Sequence, residues 1–186
     1  MKKIISLFQR NYDTDGLVCD EIVRGAEWVV AGEGVPTQKH DGTACFVRNG
    51  KLYKRYVYKK GRVPPTDFEP AGESDPVTGH WPGWIPVGQG PQDKWHREAW
   101  EANEIVPFLN GTYELCGEKI RGNPEGLRGH CLIPHGFIVL PDHTPRTFNE
   151  LYEWLKDRNI EGIVWHHQDG RMVKIKKRDF GLKRNR

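Results

Sequence analysis

Short runs of alternating apolar and polar residues, bounded by turn residues, recur along this chain and predict β-strands. Two such runs, at residues 43–47 and 51–58, flank Arg48-Asn49-Gly50, and Asn-Gly between strand-like runs is a strong hairpin signal. Further strands are predicted at residues 111–120, 137–140, 162–165 and 172–176. Lys39 therefore lies just before the first strand of the predicted hairpin.

Two segments show a helical period instead. Residues 95–106 repeat apolar positions at helical spacing up to Pro107, which ends the helix. Thr147 and Glu150 form a capping box in front of a second apolar stripe at residues 151–155. Because two helices lie among a majority of strands, the order predicts an α+β fold built on antiparallel sheet.

Residues 61–92 break both patterns. They are rich in proline and glycine, which disfavour a continuous helix or a central strand. Because Trp81 and Trp84 are costly to leave in water, we expect an insertion that forms an ordered loop packed on the rest of the chain. These tryptophans either pin the loop to the core or stack on an unpaired base, and the sequence leaves both alternatives open.

Length and composition narrow the class of protein. The 186 residues suit a single domain, and seven Trp, seven Phe and six Tyr exclude a wholly disordered chain. The four cysteines are far apart without a C-x-x-C pair, which predicts free thiols in a reducing cytoplasm. No apolar run is long enough for a signal peptide or a membrane span, so we expect a cytoplasmic protein with no membrane partner.

The net charge of +3 is a weak indication of any partner, but the charge is unevenly distributed. From Lys174 onward the chain carries seven basic residues and one acid, Asp179. This basic C-terminal tail, residues 174–186, is either a solvated segment or a contact for a phosphate backbone.

Four sequence elements carry residues with useful chemistry, although each alone has an ordinary structural explanation. Lys39-His-Asp-Gly42 is either a surface turn or a lysine nucleophile beside a glycine that admits a phosphate. Glu161, before an apolar strand, is either a plain strand entrance or a ligand for a metal-bound phosphate. Lys174 and Lys176 share one face of a strand, where two ammonium groups suit water or a polyanion. The fourth element is Glu114, on a strand that ends in glycine.

The order of these elements is more informative than any one of them. K-x-D-G, a strand bearing Glu-Leu, E-G-I-V and K-I-K resemble the motif series of the covalent nucleotidyltransferases, the superfamily of ATP-dependent ligases and mRNA capping enzymes. The resemblance runs from Lys39 to Lys176. It implies a single antiparallel-sheet nucleotidyltransferase domain, of the ATP-grasp-like ligase adenylation type, over residues 1–186. An OB-fold domain is not expected, because too few residues follow the last motif.

The resemblance also implies a role for each matching residue. Lys39 is the expected nucleophile, which attacks the α-phosphate of ATP and carries AMP as a phosphoramidate. Glu161 is expected to hold Mg²⁺, or Mn²⁺ in its place, and Glu114 is a second candidate ligand. The other expected contacts are Lys174 and Lys176 with the α-phosphate, Gln38 with the purine edge, Gly42 with the nucleotide, Glu114 with the ribose, Phe137 with the base, Arg55 with a phosphate or the nucleic-acid 5′ end, Lys54 beside it, and Lys177 and Arg178 with nucleic acid.

A narrower resemblance rests on fewer residues. Thr43-Ala44 after the K-x-D-G element, and the His80-Trp-Pro-Gly-Trp84 stretch, are similar to the compact 5′-to-3′ RNA ligases of the vertebrate, viral and bacterial type. This implies an ATP-dependent RNA ligase that acts on RNA with 5′-phosphate and 3′-hydroxyl ends and needs no obligatory protein partner. A DNA ligase, an mRNA guanylyltransferase and a non-catalytic RNA-binding module remain alternatives.

The ligase hypothesis makes a geometric demand. Lys39, Glu161, Lys174 and Lys176 should converge in the folded chain, because charge that develops on phosphate oxygens needs fixed cations nearby.

Overall fold

The computed structural model describes residues 4–59, 61–103 and 107–184. Its elements, in chain order, are β1 (Ile5–Ser6), β2 (Phe8–Arg10), β3 (Val18–Ile22), α1 (Glu27–Val30), β4 (Val35–Lys39), β5 (Thr43–Arg48), β6 (Lys51–Tyr58), β7 (Glu69–Pro70), β8 (Trp81–Pro86), α2 (Lys94–Glu101), β9 (Gly111–Gly117), β10 (His130–Pro134), α3 (Phe148–Lys156), β11 (Gly162–His166) and β12 (Met172–Lys176). Most strand pairs are antiparallel and helices are few, so the predicted α+β class is confirmed.

Within the described residues the chain divides into two compact units. We call residues 41–135 the hairpin unit, and residues 4–40 together with 136–184 the lysine unit. Because compactness alone does not show whether a unit folds independently, the single domain over residues 1–186 stays a prediction.

The lysine unit contains a four-stranded sheet in the order β1-β12-β11-β4 and a separate pair, β2-β3. β1 runs parallel to β12, and the other neighbours are antiparallel. The core is apolar and includes Trp165 and Ile175, which have no exposed surface, and α3 adds Leu151 and Leu155 to it. Because side chains alternate along a strand, burying Val173 and Ile175 turns Lys174 and Lys176 to the opposite face of β12.

The hairpin unit contains a six-stranded antiparallel sheet in the order β10-β9-β5-β6-β8-β7. Its core includes Cys45, Val47 and Leu115, and Ala99 of α2 packs among them. The predicted β5–β6 hairpin is confirmed. Asn49 and Gly50 both have positive φ, 51° and 70°, as a two-residue primed hairpin turn requires.

The proline-rich stretch contains more regular structure than the sequence predicts. β8 pairs with β6 on one side and with the two-residue β7 on the other. The sequence disfavoured a central strand here, and β8 departs from that expectation because it is paired on both sides. Pro82 and Pro86 are tolerated because β7 is so short that few ladder donors are needed on the outer side of β8. Trp84 is buried at 4% exposure, which confirms that the stretch packs on the unit.

Both predicted helices form, with differences at their ends. α2 ends at Glu101, earlier than predicted, and Val106 of the predicted helix lies outside the described residues. α3 begins after Thr147 as predicted, but the Thr147 hydroxyl donates to the Glu150 carboxylate at 2.6 Å instead of accepting from the backbone. The helix is confirmed and the capping box is not.

The strand predicted at residues 137–140 is wrong. This segment makes an isolated bridge between Val139 and Thr37, and Val139 is 58% exposed. Apolar residues alone did not make a strand here, because the segment lies at the surface. The sequence analysis did not predict β10, which pairs with β9.

The predicted basic tail is ordered structure over most of its length. Lys174 and Lys176 belong to β12, and Lys177–Phe180 forms a 3₁₀-helix that ends at Gly181 with φ 75°. All four cysteines are free, as predicted. No helix in the described ranges has the length and apolar character that a membrane crossing requires.

Candidate active site

Strand register in the lysine unit brings three motif segments side by side. Gly162 at the start of β11 pairs with Lys39 at the end of β4 and with Lys176 at the end of β12. Neighbouring strands lie about 4.8 Å apart, so Lys39 and Lys176 flank the start of β11 and Glu161 immediately precedes it. As predicted, Lys39 precedes the first hairpin strand, β5, and it also ends a strand of its own, β4.

The nucleophile candidate is held by a carboxylate. The ammonium of Lys39 lies 2.6 Å from Glu161 Oε2, and it donates a second, longer bond of 3.3 Å to the His40 carbonyl. The Lys39 side chain is 20% exposed and that of Glu161 is 9% exposed. Such a pair is partly shielded from solvent, so its electrostatic energy exceeds that of a surface pair.

Two further lysines complete the cluster. Lys176 Nζ lies 3.8 Å from Glu161 Oε1, so one carboxylate faces two ammonium groups. Burial, the largest cause, and the positive charges of Lys176 and Lys39 together lower the pKa of Lys174 to about 8. Burial likewise lowers the pKa of Lys176, against the opposing effect of Glu161. The predicted convergence of Lys39, Glu161, Lys174 and Lys176 is therefore present in the lysine unit.

Because the pKa of Lys174 is lowered in the folded chain, the free energy of unfolding should depend on pH. Between about pH 8 and its ordinary value of 10.5, the unfolded chain holds a proton on Lys174 that the folded chain has released. The free energy of unfolding therefore rises with pH across this window, and below pH 8 the buried charge destabilises the fold in full. Replacing Lys174 by methionine should stabilise the chain by on the order of 2–3 kcal/mol at pH 7, and this gain should disappear towards pH 10.5. Urea denaturation of both proteins at several pH values measures the difference, and a gain that does not vary with pH would contradict the assignment.

The residues present suit a magnesium ion that arrives with phosphate better than a resident metal centre. Across the described part of the chain there is no group of three or more His, Cys, Asp or Glu side chains able to hold a metal. Mg²⁺ is commonly bound by one or two carboxylates together with substrate phosphates and water. Among the described residues, Glu161 is the carboxylate that contacts both Lys39 and Lys176, so it is the donor that fits the expected ion.

Glycine at position 162 has a structural reason. A Cβ there would lie 2.1 Å from the Ile175 carbonyl oxygen, on the neighbouring strand β12. Only glycine lets β11 and β12 approach this closely. The E-G pair in the sequence therefore combines a functional carboxylate with a residue that sets the spacing of the strands beside it.

In the hairpin unit, Glu114 is buried and both of its oxygens are engaged. Oε1 accepts a 3.0 Å bond from the Gly42 backbone N–H, and Oε2 lies 2.8 Å from His135 Nε2. The sequence assigns no role to His135, because the partner of a lone histidine is not visible in a sequence.

Gly42 is required by the sheet rather than by a ligand alone. A Cβ on Gly42 would lie 2.1 Å from the Leu115 carbonyl oxygen. The sequence explained this glycine by the approach of a nucleotide alone, and that explanation is corrected: the close backbone contact also requires glycine.

Gly42→Ala should therefore lower the free energy of unfolding by about 1–3 kcal/mol through overpacking. Gly88→Ala is the matched control, since its Cβ would meet only Asp93 Oδ2 at 3.4 Å. Chemical denaturation compares the two, and equal stabilities would contradict the steric explanation.

The two basic residues of β6 differ in their surroundings. The Lys54 ammonium forms an ion pair with Asp93, which is 1% exposed, and is thus a structural partner in the hairpin unit. The Arg55 guanidinium lies over the Trp84 ring, 5.0 Å from its centroid, and burial lowers its pKa. The expected nucleic-acid role is therefore less suited to Lys54 than to Arg55.

Two nucleotide contacts predicted near Lys39 have different outcomes. Gln38 is next to Lys39 on β4 and pairs with Ile163, so strand alternation turns its side chain to the opposite face from the lysine. The structure thus does not bring Gln38 beside the Lys39 amine, and the purine-edge assignment is withdrawn. Phe137 is 72% exposed, which leaves its ring open to a stacking partner.

The prediction that Lys177 contacts nucleic acid is wrong. It is 3% exposed and its ammonium donates a 2.7 Å bond to the Arg158 carbonyl, so it is not presented to nucleic acid. Arg178, the next residue, is exposed. The sequence reading also gave no role to Arg10 and Asp179, a buried ion pair at the end of β12. Asp179 was visible as the one acid within a basic segment, but its depth was not.

Comparison with known proteins adds an independent finding. A family model described as RNA ligase 1 matches residues 102–185. Proteins named RNA ligase 1 from Pongo abelii and Mus musculus are each 28% identical to this chain, over 80% of it and 67% of their own length. One from Danio rerio is 29% identical over 79% of this chain and 67% of its own. This chain is therefore similar to proteins named RNA ligase 1 over about four fifths of its length.

Proposed function

We propose that this protein is an ATP-dependent RNA ligase that joins a 5′-phosphate to a 3′-hydroxyl through AMP carried on Lys39. The observation that carries the proposal is the contact of Lys39 with Glu161 at 2.6 Å, with Lys176 on the other oxygen of the same carboxylate. A reactive lysine, an acid suited to magnesium and additional cations are the groups that adenylyl transfer needs. The RNA ligase relatives favour the same chemistry.

In the first proposed step the Lys39 amine attacks the α-phosphorus of ATP. A nitrogen–phosphorus bond forms, the bond between the α-phosphorus and the bridging oxygen breaks, and pyrophosphate leaves with that bonding pair while the amine gives up a proton. Negative charge grows on the phosphate oxygens during this displacement. Lys174 and Lys176 are held by the sheet beside Lys39, so their charge needs little reorganisation as the reaction proceeds.

The ion pair with Glu161 has a consequence for this step. An ammonium has no lone pair, so Lys39 cannot attack while it remains protonated in the pair. Glu161 would hold Mg²⁺ when ATP binds. When bound, the ion supplies positive charge to the phosphate oxygens.

Two further steps complete the proposed reaction. An oxygen of the RNA 5′-phosphate attacks the phosphorus of the lysine-bound AMP. A phosphoanhydride forms, the nitrogen–phosphorus bond breaks, and the Lys39 amine leaves with that bonding pair and takes up a proton. The 3′-hydroxyl then attacks the 5′-phosphate and gives up its proton; a phosphodiester forms, the phosphoanhydride bond breaks, and AMP leaves with its bonding pair. In this scheme Glu114 would contact the ribose, Phe137 would stack on the base, and Arg55 and Arg178 would contact RNA phosphates. Such contacts predict an affinity for RNA that falls steeply with salt.

The test is covalent labelling followed by ligation. The purified chain is incubated with α-labelled ATP and Mg²⁺, and the label is sought on the denatured protein. A nicked RNA duplex with a 5′-phosphate is then added and the sealed strand is measured. Label on the protein and a sealed product are expected. A protein that binds RNA but takes up no label would show that it is a non-catalytic module.

The same assay separates the related activities. Labelling by GTP instead of ATP would indicate a guanylyltransferase, and sealing of DNA nicks instead of RNA nicks would indicate a DNA ligase. Either outcome would overturn the proposed substrate and leave the lysine chemistry intact.

A further inference from the structure

The end of β12 is anchored by a buried acid that the proposed reaction does not use. Asp179 is 1% exposed and lies in the 3₁₀-helix Lys177–Phe180. Its Oδ2 accepts a 2.9 Å hydrogen bond from the backbone N–H of Lys176, and its Oδ1 forms an ion pair with Arg10. An acid this deeply buried is held only when both oxygens have partners.

Arg10 connects this acid to a second part of the lysine unit. It belongs to β2, and its other guanidinium nitrogen donates a 2.8 Å bond to the Gly16 carbonyl. Gly16 closes the turn that follows β2, as its N–H bonds back to the Asn11 carbonyl at 2.8 Å. Arg10 therefore fixes Asp179 from an element that is remote from β12 in sequence.

Two other residues of the same 3₁₀-helix are also held in place. Phe180 is 8% exposed and packs edge-on against Phe148 at 5.1 Å and Phe8 at 6.3 Å. Lys177 donates its backbone N–H to the Glu161 carbonyl at 2.8 Å. The backbone around Lys176 is thus tied to Asp179 by its own N–H and to Glu161 through the next residue.

We infer that Asp179, oriented by Arg10, is the positioning residue that sets the Lys176 backbone and so aims Lys176 at Glu161 and at the phosphate that Lys39 attacks. The inference rests on the proposed function. Asp179 acts through Lys176 and touches no substrate itself.

The transfer of AMP to Lys39 is sensitive to such positioning, since an error of about 1 Å in a reacting group costs about a hundredfold in rate. A loss of the Lys176 anchor should therefore slow the formation of lysyl-AMP at saturating ATP. A purely structural ion pair would lower the melting temperature without changing this rate constant in the folded protein.

The hairpin unit offers a matched control. Asp93 is also 1% exposed, forms an ion pair through Oδ1 with Lys54, and accepts a 2.7 Å bond from the Gly88 backbone N–H at Oδ2. It has the same partners by type as Asp179, a cation and a backbone N–H. Removing Asp93 should therefore destabilise the protein similarly.

The experiment measures the single-turnover rate of lysyl-AMP formation without RNA, at a temperature where each variant is folded by circular dichroism. Asp179→Ala should slow this step about 10- to 100-fold. Asp179→Asn keeps an oxygen that can accept from Lys176 and should slow it less. Asp93→Ala should stay within about threefold of the wild type. An Asp179→Ala rate equal to wild type, or an equal loss in Asp93→Ala, would overturn the inference.

A second measurement does not depend on activity. Hydrogen exchange of the Lys176 amide should be at least about tenfold faster in Asp179→Ala than in the wild type, and Asp179→Asn should retain part of the protection. Unchanged exchange would overturn the anchoring role even if the wild type took up no label. Absence of label in the wild type, with faster exchange in Asp179→Ala, would instead contradict the proposed function and leave the anchor standing.

Discussion

Lys39→Arg is expected to abolish covalent labelling by ATP, with a rate reduction of at least about a thousandfold, equivalent to about 4 kcal/mol of activation free energy. Arginine retains the positive charge that Glu161 needs as a partner, so the fold should persist. A guanidinium stays protonated in proteins and offers no free amine lone pair. The loss should therefore concern chemistry and not stability.

The measurement is denaturing electrophoresis after incubation with labelled ATP and Mg²⁺, with the melting temperature recorded in parallel. Lys51→Arg, an exposed lysine on β6, serves as the control and should label normally. The Lys39→Arg protein should also seal RNA that already carries AMP on its 5′ end, because that step does not use the Lys39 amine. Persistent label on the Lys39→Arg protein would exclude Lys39 as the nucleophile.

Glu161→Gln is the second large effect that we expect. The substitution leaves Lys39 and Lys176 without the carboxylate that lies between them, next to Lys174. Breaking one side of a buried ion pair costs about 3–5 kcal/mol, and partial exposure of Lys39 reduces this to about 2–4 kcal/mol. The destabilisation should decrease at high salt, because added ions screen the repulsion between the amines.

Activity adds a second readout for the same variant. Labelling should fall about a hundredfold or more and should need a higher Mg²⁺ concentration, since the carboxylate proposed to hold the metal is lost. Glu69→Gln is the control. It breaks an ion pair with Arg48 in which both side chains are about 40% exposed, and should cost less than about 1 kcal/mol. A Glu161→Gln protein as stable and as active as this control would remove Glu161 from the site.

The sequence predicted the lysine cluster because its determinants are local. An i, i+2 spacing on a strand sets Lys174 and Lys176 on one face, and the apolar residues between them indicate which face is buried. The resemblance then supplied Lys39 and Glu161. The family-level resemblance to RNA ligases is supported by the comparisons, while the roles of the individual residues stay predictions.

Errors arose where local pattern and tertiary context disagree. Lys177 was counted with the exposed basic residues, but it is buried in phase with Val173 and Ile175, and a count of charges does not show this. The apolar residues 137–140 were predicted as a strand, but they form only an isolated bridge. β8 was predicted as a loop because it contains proline, but its outer neighbour β7 is short enough to tolerate proline there. Gly42 suggested a ligand, yet the Leu115 carbonyl already requires it.

The order of strands in the lysine unit has a consequence for how the protein forms. Lys39 and Glu161 are separated by 122 positions along the chain, and β1 joins β12 across a longer span still. Contacts between such distant segments close large loops and slow the search for the native state. On a ribosome, the strand that ends in Lys39 must wait unpaired until β11 has been synthesised. Catalytic competence should therefore arise late, in the final stage of folding.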